Sequence, residues 1–139
     1  LVVLVLIQFY RPEKNNAEYR DVLAFETETK ASKEIAAILE NNCYDCHSNK
    51  TEYPWYAEVA PVSFWLNGHV EEGNEHFNVS KWDAYTDKKK DHKLDELIEE
   101  VEEGEMPLNS YTWLHGNITE AEKEALISWA KKARENYEL

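Results

Sequence analysis

Cys43-Tyr44-Asp45-Cys46-His47 sets two thiols three positions apart with an imidazole directly after the second, the pattern by which a c-type haem is attached to a chain. Each thiol adds across one of the two vinyl groups on the haem edge, and the adjoining imidazole is then within reach of the iron as an axial ligand. The same five residues also admit a short-loop disulfide, a redox-active Cys-x-x-Cys pair or half of a zinc site. A four-ligand zinc site ordinarily draws on a second cysteine pair or a closely spaced histidine pair, and this chain has only two cysteines and no such histidine pair. A thioredoxin-type pair sits beside a strand in a β-α-β pattern, whereas the surroundings here read as helical. Covalent haem is therefore the favoured reading, with Cys43 and Cys46 as attachment points and His47 as the proximal ligand; the disulfide stays open.

The flanks carry helical periodicity. From Ala31, Ile35, Ile38 and Leu39 recur at helical spacing behind Ser32 or Thr29 as N-cap, and Asn41-Asn42 ends the run. This delivers the cysteines at a helix C-terminus or in the turn after it. Pro61 opens a second helix reaching about Glu72, with Val62, Phe64, Trp65, Leu66 and His69 along it and Gly73 as its terminator. Asp91 to Glu103 is amphipathic, with Leu94, Leu97, Ile98 and Val101 on one stripe and acidic residues opposite. Lys88-Lys89-Lys90 before it reads as a solvated basic turn. Thr119-Glu120-Ala121-Glu122 is a capping box opening the last helix, whose stripe of Ala125, Leu126, Trp129, Ala130 and Ala133 is expected against the helix that precedes the cysteines. The class is all-α.

At 139 residues the chain fits one domain, small enough that a buried cofactor would add usefully to its core. All five tryptophans follow the cysteine motif, where a large flat apolar ligand needs walls. With 28 acidic against 15 basic side chains the formal charge is −13, which disfavours binding nucleic acid or an anionic membrane surface through bulk electrostatics and favours a partner with a basic docking face. Plain solubility explains the charge equally well.

Leu1 to Ile7 is an uninterrupted apolar run ending in Gln8-Phe9-Tyr10-Arg11-Pro12. Too short to span a bilayer, it reads as the remnant of a signal peptide or N-terminal membrane anchor (residues 1–10) rather than a short buried element, because the polar, proline-containing segment after it suits a membrane exit. Residues 11–30 read as a polar linker lying on the domain surface, and 31–139 as the functional domain.

Two further features bear on the iron. Tyr53-Pro54-Trp55-Tyr56 is a stiff aromatic turn, fixed by its proline, and offers a wall beside a porphyrin. Met106, the only methionine, stands before Pro107 in a loop after Gly104, where a class of c-type cytochromes presents a thioether to the iron; a core-filling role is its alternative. His69 and His115 are rival ligands, ahead of His76 and His92.

The residues after His47 are more specific than the haem motif itself. Ser48-Asn49, Thr51, Tyr53-Pro54-Trp55-Tyr56, Ala60-Pro61-Val62, Trp65, His69-Val70-Glu71-Glu72-Gly73, Asn78-Val79-Ser80-Lys81-Trp82 and Gly104-Glu105-Met106-Pro107 together resemble the bacterial haem-binding domain family with a single Cys-x-x-Cys-His, extracytoplasmic and c-type cytochrome-like, from about Ala31 to the C-terminus. The resemblance implies a small cytochrome c-like helical domain with long loops around one covalently attached haem c. It implies electron transfer rather than catalysis, with His47 and Met106 on the iron, and Tyr53, Pro54, Trp55, Trp65 and Pro107 joining Cys43 and Cys46 around the cofactor. The attachment apparatus that a c-type haem needs in bacteria points with it to a periplasmic or other extracytoplasmic site, the apolar N-terminal segment reads as the inner-membrane anchor, and the acidic charge suits a redox partner protein. The chain departs from the family pattern at Asn74, where a basic residue commonly follows the glycine; Lys81 and Lys50 are the substitutes available to a haem propionate. The alternatives are a haem enzyme or gas sensor with an open sixth position, and a haem-free domain with a Cys43–Cys46 disulfide.

Overall fold

The computed structural model describes residues 1–137, and these form an all-α domain. In chain order the helices are α1 (Val2–Leu6), α2 (Leu23–Glu28), α3 (Lys33–Asn42), α4 (Tyr44–His47), α5 (Val62–His76), α6 (Asp87–Glu103), α7 (Asn109–His115) and α8 (Glu120–Arg134), with 3-10 turns at Ile7–Phe9, Trp55–Glu58 and Val79–Ala84.

The caps act where the sequence places them. Ser32 Oγ accepts from the Ile35 amide at 3.2 Å, and Thr119 Oγ1 accepts from the Glu122 amide while the Glu122 carboxylate reaches back to Thr119. The stripes of α3, α6 and α8 then close on one core: Ile38, Leu39, Leu94, Leu126 and Ala130 are buried, α6 lies along α8, and α8 meets α3 as expected. Because α3 is held on its apolar face, its C-terminal end is a fixed platform. Cys43 is its C-cap residue, and α4 is the single turn that follows.

Four features differ from the sequence expectation. Residues 23–28, inside the stretch read as a polar linker, form α2, and Phe25 at 0% exposure packs edge-on against Trp82 at a centroid distance of 4.9 Å. Phe25 is the one fully buried side chain of α2, Val22 packs beside it, and Glu26 and Glu28 are held by Tyr44, Lys90 and Tyr137. Helix α6 starts at Asp87, four residues early, because Thr86 Oγ1 accepts from the Lys89 amide at 3.3 Å and caps it. The three lysines are thus its first turn, and Lys90 is buried rather than solvated: its ammonium bridges both Glu28 oxygens at 2.8 and 3.0 Å and lies over the Trp82 and Tyr137 rings. Gly73 does not end α5, which continues to His76. Its role is close approach, described below.

Candidate haem site

Both residues between the cysteines are anchors. Tyr44 points inward, fully buried, with its hydroxyl donating to Glu26 at 2.9 Å. Asp45 points the other way and gathers three elements: it accepts from Arg20 at 2.7 Å, from the Glu52 amide at 3.0 Å and from the Tyr111 hydroxyl of α7 at 3.3 Å. The turn is therefore pinned from both sides, and what remains for chemistry is Cys43, Cys46 and His47.

His47 is oriented by a backbone group. Its Nδ1 lies 2.9 Å from the Phe77 carbonyl oxygen, an acceptor only, so Nδ1 carries the proton and the Nε2 lone pair is free for a metal. Burial pulls the imidazole pKa below its ordinary value, against the opposing pull of the Phe77 and Gly73 carbonyls, and the ring is neutral at neutral pH. A neutral imidazole with a carbonyl behind it is the form in which a histidine commonly ligates a metal.

Cys43 and Cys46 are free thiols. Burial, then the neighbouring Cys46, pushes Cys43 up to about 12; burial, then Asp45, pushes Cys46 up to about 11. Redox-active Cys-x-x-Cys pairs work through a lowered pKa, since the thiolate is the nucleophile. This pair is shifted the opposite way, which counts against a redox-active dithiol.

Helix α5 abuts the same turn. A Cβ on Gly73 would stand 2.6 Å from the Cys46 carbonyl oxygen and 3.1 Å from Cys46 Cβ, so only glycine lets the helix backbone come this close. Val62, Trp65 and His69 precede Gly73 at helical spacings of three and four, on one stripe leading away from Cys46. Trp65 is half exposed, with its ring edge-to-face on His69 at 4.6 Å, and Val62 is also exposed. A partly exposed stripe beginning beside Cys46 is a surface on which a flat apolar group could lie.

The remaining expected site residues are placed as follows. Tyr53 is partly buried and its hydroxyl accepts from the Asn15 amide at 2.8 Å; Pro54 precedes the 3-10 turn, on which Trp55 is 80% exposed. Met106 and Cys43 are both partly buried and both pack against the central core cluster. The Met106 amide donates to Glu100 O at 3.1 Å, which turns the chain off the end of α6, and Pro107 follows through a cis bond. Among the rival histidines, His115 is engaged with the Tyr56 hydroxyl at 3.0 Å and stacked on Tyr111, and His92 pairs with Glu96 at 3.2 Å. His69 has Trp65 against it. Of the lysines considered for a propionate, Lys50 reaches the Glu18 carbonyl at 3.3 Å and Lys81 is exposed. Asn74, in place of the basic residue, donates to Val70 O at 3.0 Å and accepts from Asn78, which ties α5 to the segment carrying Phe77.

Sequence reasoning missed Phe77, Arg20 and Tyr111. The first acts through its carbonyl, which no side-chain pattern reveals, and the other two through contacts distant in sequence. Ser80 lies within the Asn78–Trp82 stretch, and its hydroxyl accepts from the Asn49 amide at 3.0 Å.

A family model for haem-binding domains matches residues 2–132, including both stretches read as anchor remnant and linker. Comparison with curated proteins and with solved structures found no match.

Proposed function

This chain belongs to the haem-binding domain family, and from that premise we propose that it is an extracytoplasmic single-haem c-type cytochrome domain whose work is electron transfer. The observation carrying the reading is His47, neutral, with Nδ1–H on the Phe77 carbonyl and Nε2 free, directly beside two protonated thiols. Bound haem supplies a one-electron ferric/ferrous couple. The chain's part would be to hold it: Cys43 and Cys46 through thioethers, His47 through Nε2, and Met106 as a second ligand whose soft sulfur would favour the ferrous state relative to a second imidazole. Trp65 on the α5 stripe and the Tyr53-Pro54-Trp55 turn would offer it aromatic surface.

The acidic surface suits a redox partner with a basic docking face. Attachment machinery for c-type haem in bacteria operates outside the cytoplasm, which supports a periplasmic site with the apolar N-terminal segment at the inner membrane. No helix among the described residues is long and apolar enough to cross a membrane.

The test is absorption spectroscopy, oxidised and dithionite-reduced, on protein matured with the cytochrome c attachment system, comparing wild type with Met106→Ala. A low-spin spectrum whose weak sulfur-to-iron charge-transfer band is lost in the variant is the expected result. A high-spin spectrum unchanged by the substitution would remove Met106 from the iron and put the open-site enzyme or sensor ahead.

A further inference from the structure

The N-terminal segment does not leave the domain as a free tether. Gln8 clamps the peptide of Ala60 from both sides, its Nε2 donating to Ala60 O at 2.9 Å and its Oε1 accepting from the Ala60 amide at 3.0 Å. Tyr10 packs edge-on against Phe64 of α5 at 5.5 Å, Arg11 donates to the Glu58 carbonyl, and Lys14 pairs with the Glu58 carboxylate. Every one of these contacts falls on residues 58–64, the run that leads into the helix docked on Cys46.

What lies before the clamp is apolar and in water: each residue from Leu1 to Leu6 is more than half exposed, and Phe9, Tyr10 and Val59 beside the clamp are exposed as well. The chemistry changes in a fixed order along the segment, aliphatic through Ile7, aromatic at Phe9 and Tyr10, cationic at Arg11 and Lys14. That is the order of layers met on leaving a bilayer, hydrocarbon, then the interface favoured by aromatic rings, then headgroups.

We propose that the face formed by Phe9, Tyr10 and Val59, continuous with α1, docks on a phospholipid bilayer, so that the domain stands on the membrane in one orientation set by the Gln8–Ala60 clamp. The inference rests on reading the N-terminal segment as membrane-attached, and adds that Val59, beside the clamp, faces the lipid. The haem turn, one helix away through Gly73 and Cys46, is then held at a fixed distance from the bilayer surface.

The experiment uses the full chain, matured with haem, and zwitterionic phosphatidylcholine vesicles, which remove bulk charge as a cause. Flotation on a density gradient reads attachment. The photo-crosslinking residue p-benzoylphenylalanine, placed at position 59 and separately at position 99 on the exposed acidic face of α6, reads orientation by the mass of a covalent lipid adduct. The expected result is flotation with both proteins, a lipid adduct at 59 and none at 99, with the adduct at 59 lost in Gln8→Ala/Tyr10→Ala while flotation persists. Flotation with equal adducts at 59 and 99, or an adduct at 59 that survives the double substitution, overturns the fixed orientation and leaves membrane attachment standing. Absence of flotation overturns both, and a protein–protein crosslink from position 59 in place of a lipid adduct assigns the face to a second copy of the chain.

Discussion

Adding a single methyl group to Gly73 separates a glycine needed for close approach from one that merely occurs in a helix. Helix α5 contains two glycines. At Gly68 a Cβ meets nothing within 4 Å, whereas at Gly73 it meets the Cys46 carbonyl oxygen at 2.6 Å and Cys46 Cβ at 3.1 Å. Neither neighbour at Gly73 is a flexible side-chain end, so either the helix or the attachment turn must shift. Gly68→Ala removes only the entropic penalty of glycine and should stabilise the apoprotein by about 0.5–1 kcal/mol. Gly73→Ala gains the same and loses about 1–3 kcal/mol to overpacking, so it should fall below Gly68→Ala by roughly that 1–3 kcal/mol. Urea denaturation followed by far-UV circular dichroism reads the difference as a shift in midpoint at constant slope. The displaced turn should also lower the fraction of chains that acquire haem in Gly73→Ala and leave Gly68→Ala at the wild-type level. Equal stability of the two variants, with equal haem content, would refute the close approach of α5 to Cys46.

Phe25→Ala should cost about 3–5 kcal/mol, because the ring is fully buried at the centre of an aromatic cluster; a urea midpoint unchanged from wild type would return residues 23–28 to the status of a surface linker. Burial alone would raise the Glu28 pKa, but the hydrogen bonds from Lys90 and Tyr137 outweigh it and leave the carboxyl below its ordinary 4.5. A carboxyl lowered in the folded state stabilises above its unfolded pKa, and that contribution is lost as pH falls through the folded value. The stability of the apoprotein should accordingly fall below pH 4.5, and less steeply in Lys90→Met, as urea midpoints measured across that range will show.

The parts of the fold that rest on local chemistry were legible. Ser32 and Thr119 cap where their sequence context says, the stripes of α6 and α8 are buried or half-buried as spaced, and the cysteines stand at the C-cap of α3 and in the turn after it. The parts that rest on contacts between distant residues were not. Lys90 reads as one of three solvated lysines until Glu28 is brought beneath it by α2, and α2 itself is announced by little more than Phe25. Gly73 reads as a helix terminator because glycine usually is one; its actual neighbour, Cys46, belongs to another helix. The early start of α6 was the one difference with a local signal, Thr86-Asp87 being a serviceable cap and first-turn acid. At the site, the side chains proposed to hold a haem are visible in the motif, whereas the group that orients His47 is a peptide carbonyl, and the hub at Asp45 gathers Arg20, Glu52 and Tyr111 from three separate stretches.

The central claim is that Cys43 and Cys46 carry a haem covalently beside His47. Intact mass under denaturing conditions tests it most directly, on the chain matured with the cytochrome c attachment system and on its Cys43→Ala/Cys46→Ala counterpart. The account predicts the mass of the chain plus one haem, retained after unfolding, and the bare mass for the double substitution. A bare mass for the wild-type chain, or a mass short by two hydrogens from a Cys43–Cys46 disulfide, would contradict it.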